Sequence, residues 1–72
     1  MKEQTFIAKI YDAAGACIDF ERFTCKRAET VKKYMLQLFN NELYRICTKG
    51  AEKVVIFATP AGMEYKIMEF NI

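Results

Sequence analysis

Three groups of residues in this chain have types and spacings that could do chemistry. Cys25 stands just before a helical segment, a position at which nucleophilic cysteines are found. Asp19 and Glu21, two apart on a strand, put two carboxylates side by side on one face, as an acid–base pair or a cation site would need. Lys26, Arg27, Lys32 and Lys33 gather four cations around the start of the helix, where unpaired backbone N–H groups also attract phosphate.

Each group has a plainer reading. The chain has no histidine, so Cys25 lacks the commonest partner base, and mixed Cys/His zinc sites are excluded with it. A lysine placed opposite Asp19 accounts for that carboxylate. Glu29 lies among the four cations, and a charge run on a helix is ordinarily its solvated face. No glycine-rich phosphate loop, metal-spaced ligand set or nucleophile elbow occurs. The expectation is a chain with no catalytic residues, no cofactor and no metal.

Composition narrows the class. Seventy-two residues that are 53% hydrophobic and 28% charged, with three glycines and one proline, exclude disordered, collagen-like and low-complexity chains. This length predicts a single domain spanning residues 1–72. No run approaches the ~18 consecutive apolar residues that cross a bilayer, so no membrane contact is expected. The net charge of +2 permits a nucleic-acid partner without pointing to one. Three cysteines, odd in number and never in C-x-x-C spacing, argue against a disulfide framework, and no signal peptide is readable; a cytoplasmic location is expected.

The elements follow from periodicity and turn chemistry. Residues 5–11 and 16–23 read as strands joined by Asp12-Ala13-Ala14-Gly15, a three-residue hairpin loop. That loop places Asp12 opposite Ala16, Tyr11 opposite Cys17, Ile10 opposite Ile18, Lys9 opposite Asp19 and Ala8 opposite Phe20. Thr24 is the predicted N-cap of a helix whose apolar arc is Ala28, Val31, Met35, Leu38, Phe39, Leu43 and Ile46. From Lys26 to Lys49 it would be about 36 Å long, against about 20–27 Å for the strands. Either it breaks near Asn40-Asn41 or its last turns overhang the sheet, and one continuous helix is favoured. Residues 54–59 are apolar on both faces, as a central strand is. Pro60-Ala61-Gly62 then turns the chain, with Pro60 as the turn's second residue, into a strand starting at Met63. Phe57 is expected opposite Tyr65, and Val55 opposite Ile67.

The predicted fold is therefore α+β: ββαββ, a four-stranded antiparallel sheet with one helix on one face. Strand order 2-1-3-4 is favoured, with 2-1-4-3 as the alternative. One helix covers one face, which these registers make Phe6, Ala8, Ile10, Ile18, Phe20, Val55, Phe57, Tyr65 and Ile67. The other face would carry Ile7, Tyr11, Val54, Ile56, Met68 and Phe70, an apolar band that asks for a partner. The functional expectation is a non-enzymatic interaction module that self-associates, as a homodimer, through this band, or else binds another protein. The alternative is a nucleic-acid module contacting phosphates through Lys26, Arg27, Lys32 and Lys33. Tyr34 and Tyr44 are equally readable as interface contacts or as rim residues.

Overall fold

β1 (Gln4–Asp12) and β2 (Cys17–Cys25) form the first hairpin in the computed structural model, which describes residues 2–72. Its turn has the expected chemistry. The Asp12 carboxylate accepts hydrogen bonds from the Ala14 and Ala16 N–H groups at 3.0 and 2.9 Å, and Gly15 takes φ +85°. Asp12 bonds Ala16 and Tyr11 faces Cys17, as predicted. Beyond Cys17 a β-bulge skips Ile18, so Ile10 meets Asp19, Lys9 meets Phe20 and Ala8 meets Glu21. The expected pairs from Ile10 downward are each displaced by one residue. One extra residue moves every later side chain to the other face.

The helical region is two helices, α1 (Ala28–Phe39) and α2 (Glu42–Cys47), in place of the continuous helix favoured by the sequence. Thr24 remains in β2, and the N-cap position falls to Arg27, whose backbone is extended and whose side chain makes no capping bond. The break has a local cause. Asn41 is extended, and its side-chain oxygen accepts the Tyr44 N–H at 3.2 Å, so a new helix starts there. α1 buries Ala28, Val31, Met35 and Phe39. The restart turns α2 so that Leu43 and Ile46, expected on the same buried arc, are 72% and 64% exposed.

β3 (Ala51–Ala58) and β4 (Tyr65–Asn71) complete an antiparallel sheet in the order β2-β1-β3-β4, the favoured order. α1 packs against β1, β2 and β3 on one face. The turn before β4 departs from expectation. Met63 N–H bonds the Pro60 carbonyl at 3.0 Å, with Ala61 at φ +53° and Gly62 at φ +79°. Two consecutive positive φ values make a type I′ turn whose first residue is Pro60. The register also shifts at Glu52 in the β1–β3 pairing and at Ile67 in β4, so Ile56 meets Met68 while Phe57 meets Lys66.

The two faces are consequently composed differently from the prediction. Beneath α1 lie Phe6, Ala8 and Ile10, as expected, but with Val54, Ile56 and Ala58, and with Met68 and Phe70 partly buried against them. The strand 54–59 is apolar at every position to Ala58, so alternation alone could not choose its inner face. The hydrogen-bonded register with β1 chose it, pairing Ile10 with Val54, Ala8 with Ile56 and Phe6 with Ala58. The predicted band of Ile7, Tyr11, Val54, Ile56, Met68 and Phe70 is therefore split between the faces. Its last four members belong to the helix side.

Candidate binding face

Three rows of side chains run across all four strands on the helix-free face, because antiparallel partners share a face. Along the first row stand Arg22, Ile7, Phe57 and Lys66; along the second, Phe20, Lys9, Val55 and Glu69; along the third, Cys17, Tyr11, Lys53 and Asn71. Each strand contributes one cation, and all four, Lys9, Arg22, Lys53 and Lys66, lie here. Asp19 and Glu21 of β2 pair with Ile10 and Ala8 and so belong to the helix side.

The cations interleave with aromatic rings. The Lys9 ammonium lies 5.0 Å from the centre of the Phe57 ring and 2.7 Å from a Glu64 carboxylate oxygen. Its hydrogen bond to Glu64 holds the Lys9 pKa above the ordinary lysine value. Lys53 sits over the Tyr11 ring at 5.8 Å and 4.0 Å from Glu69, which also pairs with Lys66. The Lys66 hydrogen bond keeps the Glu69 carboxyl below its ordinary value. Val55, outside the core cluster and only 6% exposed, is covered by these longer neighbours. Phe20 is 55% exposed, and Arg22 has no carboxylate within ion-pair distance among the described residues.

The predicted site residues are scattered. Ile7 and Tyr11 are on this face, half-buried. Val54 and Ile56 are fully buried under α1. Phe70 carries the Lys32 ammonium 5.4 Å from its ring on the helix side. Lys26 and Arg27 line a shallow cleft of about 410 Å³ with Gln4, Glu29 and Ile67, at the start of α1. Lys32 is drawn toward β4, over Phe70, and Lys33 is exposed. The chemistry suggested for the other groups is absorbed locally. The Cys25 thiol donates to the Arg27 carbonyl at 3.3 Å, and Glu21 accepts from the Tyr44 hydroxyl at 3.4 Å. Tyr44 meets Phe39 edge-on at 5.1 Å and packs against the core, whereas Tyr34 stacks on Phe23 with centroids 6.0 Å apart and stays 45% exposed. Among the described residues no three metal-ligating side chains converge.

No family model, curated protein or solved structure matches this chain. Among the described residues no helix is long and apolar enough to cross a membrane.

Sequence reasoning missed Phe20, Arg22, Val55 and Phe57 as members of the open face. The two exposed isoleucines skipped by the bulges, Ile18 and Ile67, are the residues that a strict alternation counts as paired. No residue type at either position announces a bulge.

Proposed function

We propose that the protein acts by binding, without catalysing a reaction, and that the helix-free sheet face is its contact surface. One observation carries this reading: both helices lie on the other side, while this face sets Phe20, Ile7, Phe57 and Tyr11 among four cations and two carboxylates. Such a surface is partly apolar and carries an excess of positive charge. A second copy of the chain, the occupant expected from the strand pattern, would bring Lys9, Arg22, Lys53 and Lys66 toward the same four residues of its partner. Opposed like charges in an interface are costly, so an anionic partner suits the face better.

Heparin, a polyanion, is the first probe. Retention on a heparin column at low salt is expected, reduced by Arg22→Glu with Lys53→Glu and unchanged by Lys32→Glu with Lys33→Glu. Retention lost only in the helix pair would move the contact to the start of α1. Light scattering at micromolar concentration should return the single-chain mass of 8.4 kDa. A doubled mass that Phe20→Glu returns to one chain would make a second copy the occupant of this face.

A further inference from the structure

We propose that the occupant of the open face is single-stranded nucleic acid, its bases stacked on Phe20, Phe57 and Tyr11 and its phosphates met by Arg22, Lys53 and Lys66. The inference rests on the sheet face being the contact surface and names what it contacts. Its first support is ring placement. The three rings come from three adjacent strands, β2, β3 and β1, and from three successive rows. Neighbouring strands are ~4.8 Å apart and successive rows on one face ~6.7 Å, so Tyr11 and Phe20 sit roughly 8 Å from one another and Phe20 and Phe57 roughly 12 Å. Those are separations at which unstacked bases of one strand reach successive platforms, as on other four-stranded sheets that bind single strands.

The second support is charge. Glu64 and Glu69 are each engaged by lysines, and Arg22, beside exposed Phe20, has no such partner among the described residues. An arriving phosphate therefore meets a free guanidinium. The ammonium groups now lying over Phe57 and Tyr11 are on flexible stems, and a base seated on the ring displaces each toward the adjoining phosphate. A duplex fits poorly. Four strands span roughly 14 Å between their outer backbones, too broad for a major groove of about 12 Å that takes one helix or a two-stranded ribbon. The contacts offered, ring face and phosphate, are common to DNA and RNA, so the sugar is not discriminated.

The test is fluorescence anisotropy with a fluorescein-labelled oligothymidylate of twelve residues, titrated with the intact protein. Saturable binding at low salt is expected, weakening as salt rises by a slope of about −0.7 per phosphate neutralised. Phe20→Ala, at an exposed position, should weaken binding about tenfold or more. Arg22→Gln should weaken it and flatten the salt slope by about 0.7. Lys32→Gln with Lys33→Gln should leave it unchanged. Thermal melts of the variants, matching the parent's, tie any loss to the face. No anisotropy change at saturating protein, equal affinity for the duplex, or binding indifferent to Phe20→Ala would overturn the proposal. Heparin retention that depends on Arg22 and Lys53 but no oligonucleotide binding would overturn it while leaving the face a contact surface. A dimer dispersed by Phe20→Glu would do the same.

Discussion

Tyr44 ties the stability of this protein to alkaline pH. Its ring lies edge-on against Phe39, and its hydroxyl points at Glu21, with Asp19 close enough to act on it. Partial burial, then the two carboxylates, raise the pKa of the phenol above its ordinary value. The folded chain thus holds this proton more tightly than the unfolded one. Stability from this group is complete below the unfolded value near pH 10 and is lost as pH rises above it. Urea midpoints measured on either side of about pH 10 should therefore fall, and Tyr44→Phe should fall by less. An equal decline in the variant would place the effect elsewhere. None of this is legible in the sequence. It depends on Asp19 and Glu21 reaching the helix side, which the bulge at Ile18 brings about.

At the scale of elements, the turns were the more readable part, and the failures have identifiable causes. The Asp12–Gly15 turn follows from an aspartate that bonds its own backbone and a glycine free to take positive φ. The residues Pro60-Ala61-Gly62 announced a turn equally well but not its type. Proline presets the second position of a type I or II turn, yet here it is the first residue, and Ala61 takes the left-handed conformation. An alanine there is strained, and asparagine is the residue that type I′ turns prefer. Ala61→Asn should stabilise the protein by about 0.5–1 kcal/mol, read as a higher denaturation midpoint with an unchanged slope. A lowered midpoint would mean that the turn is not left-handed at Ala61. The helix break at Asn40-Asn41 was visible as an alternative. What decided it is the Asn41 cap on Tyr44, a local bond that an amphipathic pattern does not encode.

For the molecule as a whole, the assignment of faces separates two substitutions that the sequence treats alike. Ile56 is fully buried under α1, whereas Phe20 is 55% exposed on the opposite side. A charge placed at Ile56 enters a small core with no partner. Ile56→Lys should therefore unfold the protein or lower its melting temperature by tens of degrees, and Phe20→Lys should shift it by no more than a few. Similar melts for the two would contradict the face assignment. By itself the sequence determined the class, the four strands, the α1 arc from Ala28 to Phe39 and the first turn, because hydrophobic period and turn chemistry are local; it favoured one of two strand orders. Which of the two strand orders forms, which face of β3 lies under the helix, and which rings and cations share the open side were decided by tertiary structure. The bulges at Ile18 and Ile67 and the left-handed turn shift β2 and β4 by single residues, and the register of β3 against β1 sets its inner face; in a two-residue repeat a single residue exchanges inside for outside.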